Sequence, residues 1–399
     1  MRDLLFICHR IPYPPDKGEK IRAWNMIRHL SARFAVHLGC LVDDPADWAH
    51  VEALRAQVAS LGAFAVDRRR QKIHALLKAR PGRPLMPDFY ADARLRAWTR
   101  ATAARTTMAL SVAYTAAVAP YVLELPGPKL LDFVDVDSQK WAQYAQGSGF
   151  PMRLLWAREA RTLLRFETDM AGRFDANLFV SPAEAGAFAA LAPSVAGRID
   201  YVENGVDLQR FAPDPGLASP YAGPGPRIVF TGHMDYWPNQ DAVAWFAADV
   251  LPLIRAAVAD AQFWVVGANP DARVRALASL PGVQVTGRVA DVRPYVAHAH
   301  LSVSPLRIAR GIQNKVLEAM AMGVPVLASG AAFAGLDAVA GRDLLVADGA
   351  DAMAAAAISV VRGRHPGLGA AGRAAVAGRY RWEATLSRLD AIIDRLIGG

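Results

Sequence analysis

The sequence predicts an α/β protein made of two doubly wound, parallel-sheet, Rossmann-like domains facing across a cleft. Three observations carry that prediction. The chain has 399 residues, too many for one ordinary core, so two domains are expected. Near-continuous apolar runs alternate with helical segments, the pattern of parallel strands covered on both faces. A stretch dense in Pro and Gly, "RFAPDPGLASPYAGPGPR" (210–227), separates the runs into two series and reads as a linker.

The first series comprises "DLLFICH" (3–9), "VHLGCLV" (36–42), "KLLDFVD" (129–135) and "ANLFVS" (176–181). The uncharged stretch "MALSVAYTAAVAPYVL" (108–123) is shorter than the roughly 20 apolar residues of a membrane span and contains Pro120. It reads as a strand followed by a buried helix. The second series is "RIVFTG" (227–232), "QFWVVG" (262–267), "VQVTG" (283–287), "LSVSPL" (301–306), "VPVLAS" (324–329) and "DLLVAD" (343–348). The expected domains are 1–205 and 206–381, with a last helix over 382–397 packing back on the first. Sheets of this kind bind ligands outside the carboxyl ends of their strands.

Composition narrows the function. A chain that is 53% hydrophobic and 21% charged is globular rather than disordered. Its net charge of +8 suits an anionic partner: a nucleotide, a nucleic acid or an acidic lipid. Nucleic acid is set aside, because no binding module or stacking-aromatic pattern is present. The two cysteines, Cys8 and Cys40, lie in apolar runs without metal-ligand spacing and read as buried free thiols of a reducing cytoplasm. The start "MRDLLFICHRIPYPP" does not read as a signal peptide, because Asp3 opens its short apolar run and His9-Arg10 close it. A cytoplasmic, soluble protein is expected.

The stretch "VSPLRIARGIQNKVLEAMAMG" (303–323) carries the most chemistry. A loop follows one strand, and a helix begins near Ile312. A helix N-terminus after a glycine, here Gly311, offers free N–H groups and a positive dipole end to an anion. Arg307 on the loop and Lys315 on the first turn add full charges, and together these groups can hold a diphosphate. Glu318 lies on the same face as Lys315, where a carboxylate can accept hydrogen bonds from ribose hydroxyls. The alternative is an i,i+3 salt bridge on a solvated face, which the small apolar neighbours Met320, Ala321 and Gly323 argue against.

In the first domain, "PPDKGEK" (14–20) follows the first strand. Lys17, Lys20 and Arg22 can serve a phosphate-bearing acceptor, or the segment is an ordinary turn. "DFVDVDSQKW" (132–141) ends a strand with three acids. Asp135 and Asp137 can bind metal or orient an acceptor hydroxyl, while Asp137 or Ser138 can equally cap the next helix. "RRRQKIHALLKAR" (68–80) has six Lys/Arg and no acid. Its stripe of Ile73, Leu76 and Leu77 fits an interfacial helix on anionic lipid, or the segment is a solvated basic face.

These segments together resemble the family 4 glycosyltransferases, which have the GT-B fold. The stretch around Lys315 is similar to that family's donor-site signature. "VENGVDLQRF" (202–211), "FTGHMDYWPNQDAVAWF" (230–246), "VVGANP" (265–270) and "VQVTGRVADVRPYVAHAHLSVSPL" (283–306) resemble successive family segments in order. The N-terminal "CHRIPYPPDKGEKIRAWNMIRHLS" (8–31), with "DFVDVDSQKWAQYA" (132–145), is similar to sugar transferases encoded beside exopolysaccharide and exosortase (PEP-CTERM) genes. The resemblance implies a nucleoside-diphosphate sugar donor, with Gly232, His233, Arg310, Gly311, Asn314, Lys315 and Glu318 around it. It implies Lys315 and Arg307, with Asp135 and Asp137, as the catalytic set, and Gly18 as the glycine of the loop approaching phosphate or acceptor. It further implies retention at the anomeric carbon, no metal and no cofactor beyond the sugar nucleotide.

Two departures stand out. The family's paired glutamates fall at 310 and 318, and the first position here is Arg310. His233 and "DYWPN" replace the family's Arg and Lys after the first strand of the second domain. The expected function is sugar transfer to a glycan or polyprenyl-linked acceptor in exopolysaccharide biosynthesis, at the inner face of the cytoplasmic membrane. The rivals are a nucleotide-sugar epimerase of the same fold and a non-catalytic nucleotide-sugar or polyanion binder.

Overall fold

The computed structural model describes residues 1–16, 18–80, 82–309 and 311–398. It divides into two compact units, Met1–Glu203 with the segment from Leu386 onward, and Asn204–Thr385. The first is built on β1 (Arg2–Cys8), β2 (Phe34–Val42), β3 (Ser60–Ala65), β4 (Met108–Tyr114), β5 (Lys129–Val134), β6 (Ala176–Phe179) and β7 (Ile199–Tyr201). Their order is β3-β2-β1-β4-β5-β6-β7, and each neighbouring pair is parallel. Order reverses between β1 and β4, which makes that point the switch of the sheet. Of the strand and buried helix expected over 108–123, the strand is β4 and the helix is a short, buried 3-10 helix, Ala116–Tyr121. The strands β3 and β7 went unread in the sequence: β3 is interrupted by Gly62, and β7 has three residues.

The second unit carries β8 (Arg227–Thr231), β9 (Gln262–Val266), β10 (Val283–Gly287), β11 (Leu301–Ser304), β12 (Val326–Ala328) and β13 (Leu345–Val346). Their order is β10-β9-β8-β11-β12-β13, again parallel throughout. Ile228, Phe230, Phe263, Val265, Leu301, Val303 and Leu327 are all buried in one core cluster, as near-continuous apolar strands require.

The Pro/Gly-rich stretch lies inside this second unit rather than between the two. Phe211 is part of its core, Arg293 Nη1 donates to the Arg210 carbonyl at 3.2 Å, and the Tyr221 ring packs edge-on against Trp264 at 4.9 Å. Pro and Gly there shape a loop that buries its aromatic residues. From Leu386 the last helix, Trp382–Ile397, belongs to the first unit. His29 Nε2 lies 2.8 Å from Asp390 Oδ2, and Arg388 Nη2 donates to Asp200 Oδ1 at 2.6 Å.

One buried ion pair fixes the first unit. Arg22, on helix Gly18–Ser31, has no exposed surface. Its Nε donates to Asp132 Oδ2 at 2.9 Å, and its Nη1 to the Val202 carbonyl at 2.6 Å. Asp132 Oδ1 accepts from the Val134 N–H at 2.9 Å. Removing one partner strands a charge in the interior, which costs far more than the pair itself contributes. Asp132→Asn is expected to lower stability by about 3–5 kcal/mol in urea unfolding followed by tryptophan fluorescence. A loss below about 1 kcal/mol would show that the guanidinium finds other partners.

Candidate functional site

The second unit assembles its polar groups at the carboxyl ends of β8 and β11. After β11 the chain passes Pro305 and Leu306, turns at Gly311 with φ +58°, and enters helix Asn314–Ala321. Its N-cap residue, Gln313, makes no side-chain cap hydrogen bond, so the first turn keeps donors for an incoming acceptor. Asn314 Oδ1 accepts from Asn204 Nδ2 at 3.2 Å. One face of the helix (Val316, Leu317, Ala319, Met320 and Ala321) is buried, which leaves Lys315 and Glu318 half-buried at the polar edge.

Lys315 is held in an unusual way for a cation. Its Nζ donates to Asn239 Oδ1 at 2.6 Å and stands 4.2 Å from the centre of the Phe230 ring. The hydrogen bond goes to a neutral amide. Asn239, itself buried, donates from Nδ2 to the His233 carbonyl at 2.8 Å. Gly232 is required here, because a Cβ would lie 2.8 Å from Asn239 Nδ2 and 3.3 Å from Lys315 Nζ. Gly267 at the end of β9 is required too: a Cβ there would fall 1.7 Å from the Gly232 oxygen.

Electrostatics follow from this geometry. Burial pushes the Lys315 ammonium down to about 7, against the opposing pull of Glu318. Burial likewise pushes Glu318 up to about 7, with Arg210 and Lys315 acting the other way. An anion placed beside Lys315 would favour its charged form, and hydrogen-bond donors placed beside Glu318 would favour its carboxylate. Gly232, His233, Gly311, Asn314, Lys315 and Glu318 thus lie along one end of one sheet. Arg307 is placed differently: its Nε donates to Asp241 Oδ2 at 2.8 Å, and its guanidinium lies 6.0 Å from the Trp245 ring. Lys17 and Arg310 lie outside the described residues.

In the first unit Gly18 opens its helix, but Arg22 is withdrawn into the core. The expectation that Arg22 meets a phosphate is corrected, because a guanidinium without exposed surface and bound to Asp132 has no free face to offer. Lys20 is similarly engaged, with Nζ donating to Asp47 Oδ2 at 2.9 Å.

The acids after β5 are presented by a tight turn. The Asp135 N–H donates to the Phe133 carbonyl at 2.9 Å around Val134, whose φ is +69°, a strained conformation for a β-branched residue. Two glutamates from other helices support it: Glu184 Oε2 accepts from Val136 N–H at 2.9 Å and Glu167 Oε1 from Ser138 N–H at 3.1 Å. Burial, reinforced by Glu184 and Asp137, pushes Asp135 up to about 7. Burial also raises Asp137 and brings Glu167 to about 8.

Comparison with known proteins agrees with this architecture. Residues 225–362 match the family model described as Glycosyl transferases group 1. Over 252 residues the chain is 32% identical to the GDP-mannose-dependent alpha-(1-6)-phosphatidylinositol monomannoside mannosyltransferase of Mycobacterium tuberculosis (strain H37Rv), an alignment covering 58% of this chain and 63% of that one. The chain therefore spans less than two thirds of that relative's length. Sucrose-phosphate synthase from Thermosynechococcus elongatus matches with a TM-score of 0.74 at 17% identity, covering 100% of both chains. Anabaena HepE, solved with UDP-glucose, matches with a TM-score of 0.68 at 16% identity, covering 99% of this chain and 100% of that one. The chain has the GT-B fold.

Within the GT-B frame, the residues that sequence reading missed are partners rather than charges. Asn239 and Asp241 sit in "WPNQD" (237–241), a segment noted for the Lys it lacks, and only the fold shows that its amide holds Lys315. Glu167 and Glu184 lie far along the chain from Asp135, with no spacing signal to link them. His9 was also unassigned: it is buried at the end of β1 beside the Tyr90 and Tyr114 rings, and burial with Arg10 brings it down to about 4.

The depressed Lys315 has a consequence for stability. Its folded value of about 7 lies below the 10.5 of a free lysine, so between those values the unfolded chain binds the extra proton. Stability must then rise with pH from 7 to 10 on its account. Glu318, raised from 4.5 to about 7, makes stability fall from pH 4.5 to 7. Lys315→Met is expected to abolish the alkaline rise in urea midpoints measured from pH 6 to 10. Parallel curves for the variant and the wild-type protein would place the lysine in water.

Proposed function

We propose that this protein transfers a sugar from a nucleoside-diphosphate sugar to a glycan or lipid-linked acceptor in exopolysaccharide biosynthesis. The observation that carries the reading is Lys315, on the first turn of a helix without a side-chain cap and held by a neutral amide over Phe230. An amine at a helix N-terminus that an arriving anion holds in its charged form, with a carboxyl one turn on, suits a diphosphate followed by a ribose. The group 1 family match over the same residues and a mannosyltransferase relative with a phosphatidylinositol-based acceptor in its name support it. GDP-mannose and UDP-glucose are the first donors to test, from the names of that relative and of the HepE complex.

In this mechanism the anomeric configuration is retained and no metal is required. Negative charge grows on the leaving diphosphate as the glycosidic bond breaks. The helix N-terminus and Lys315 meet that charge, taking the place of a cation. Arg307 joins them by turning from Asp241 to the phosphates. The leaving phosphate oxygen accepts the proton of the acceptor hydroxyl as that hydroxyl's oxygen bonds the anomeric carbon, and Asp135 or Asp137, in the first unit, serves the acceptor. Glu318 accepts from the ribose, and Gly232 lets the backbone approach the donor. Access to a lipid-linked acceptor comes from peripheral attachment to the inner face of the cytoplasmic membrane through the basic segment 68–80. Among the described residues no helix is long and apolar enough to cross a membrane.

Lys315→Ala is expected to impair turnover more than donor binding, because its contact strengthens as the bond breaks. The loss should be on the order of 3 kcal/mol in the transition state, read as kcat against the donor Kd from calorimetry. A kcat within a few-fold of wild type would remove Lys315 from the chemistry.

A further inference from the structure

The helix Arg68–Leu77 is inverted relative to an ordinary surface helix. It buries Ala75, with Gln71 and His74 half-buried, and it turns its large apolar side chains outward. Ile73 is 58% exposed and Leu77 82%, with Leu76 exposed between them. At 3.6 residues per turn, Arg69 and Arg70 fall on this same outward face. Asp67 caps the helix, its carboxylate accepting from the Arg69 and Arg70 backbone N–H groups at 2.7 and 3.3 Å, and its single charge stands against two guanidiniums. Arg68 is turned aside and bonded to Asp43 Oδ2 at 2.7 Å.

A second element of the same unit repeats the pattern. Residues 149–155 are exposed without interruption, including Phe150 at 83% and Leu154 at 62%. Met152 and Leu155 are exposed beside them, and Arg153 supplies a charge. Helix Met152–Arg173 therefore starts with a first turn that is apolar and open to solvent. The chain just after helix Arg68–Leu77 is bonded to the helix that carries the second element. Arg158, on the same helix face as Leu154, donates from Nη2 to the carbonyls of Arg80 at 2.7 Å and Arg83 at 3.1 Å. The Leu85 N–H donates to Glu159 Oε2 at 3.0 Å.

We infer that Phe150–Leu155 and helix Arg68–Leu77 form one docking surface for an anionic lipid bilayer, with Phe150, Leu154, Ile73 and Leu77 entering the acyl boundary and Arg69, Arg70 and Arg153 meeting the headgroups. Large apolar side chains interleaved with arginines on one face match a boundary that is apolar below and anionic above. A second copy of the chain fits poorly, because a two-fold contact would set these arginines against themselves in a protein of net charge +8. The inference rests on the membrane attachment proposed above and deepens it, since the sequence pointed to the basic segment alone.

The test is co-sedimentation with vesicles of phosphatidylcholine containing about one quarter phosphatidylglycerol, compared with pure phosphatidylcholine. Wild type should bind the anionic vesicles and leave the neutral ones. Arg69→Glu/Arg70→Glu and Phe150→Ser/Leu154→Ser should each weaken partition tenfold or more, with circular dichroism and melting unchanged because the altered side chains are exposed. If the arginine variant loses binding while the Phe150 variant binds like wild type, the second element is not part of the surface and the inference is overturned, with basic-segment attachment intact. If wild type ignores anionic vesicles, both fall. If wild type instead self-associates and Phe150→Ser/Leu154→Ser abolishes it, the surface serves a second copy and the lipid assignment is wrong.

Discussion

A lysine held by an amide over a phenyl ring is the constraint on which the second unit turns. Parallel sheets packed on both faces leave polar groups few places to go except the carboxyl ends of their strands. There Lys315 reaches Asn239, Asn239 reaches the His233 carbonyl, and Phe230 fills the space beneath. Each link limits the sequence nearby. Gly232 must lack a side chain for the amide to fit, and Gly267 must lack one for Gly232 to sit where it does. A cation partnered with a neutral group retains its capacity to bind an anion, whereas one paired with a carboxylate would have to break that pair first. Arg307, bonded to Asp241, illustrates the second case within the same loop.

The first unit divides its charges in the opposite sense. Arg22 and Asp132 satisfy one another in the interior and act as structure. A few residues on, the strained turn at Val134 lifts Asp135 and Asp137 out of the strand, and two glutamates grip its N–H groups. Burial and mutual repulsion among these carboxyls outweigh the pull of Lys140 and Arg22, so a proton is retained there near neutrality. Strain of this kind persists only where the surroundings over-determine it. The contrast between Asp132 and Asp135, three residues apart, separates a group that holds the fold from one left half-buried at a turn.

The fold was legible because buried parallel strands announce themselves as apolar runs, and β1, β2, β5, β6 and the six strands of the second unit all do so. The strands β3 and β7 were not legible, since a glycine-interrupted run and a three-residue strand differ little from loop. In the site, charged residues on a helix face were visible through spacing, as Lys315 and Glu318 show. Their partners were not, because Asn239 meets Lys315 across 76 positions of sequence and amides carry no pattern. Arg22 misled for a related reason: spacing shows that a cation stands in a loop-helix junction, and only packing shows which way it points.

The central claim is that the second unit is a nucleotide-sugar site built around Lys315. The measurement that addresses it most directly is a thermal-shift panel of UDP-, GDP- and ADP-sugars against the wild-type protein, because a ligand that binds only the folded state raises the melting temperature by mass action. The account predicts that at least one sugar nucleotide raises the melting temperature by several degrees, saturably, and that the matching free sugar without its diphosphate does not. A panel in which no sugar nucleotide shifts the melting temperature, or in which the free sugar shifts it equally, would contradict it.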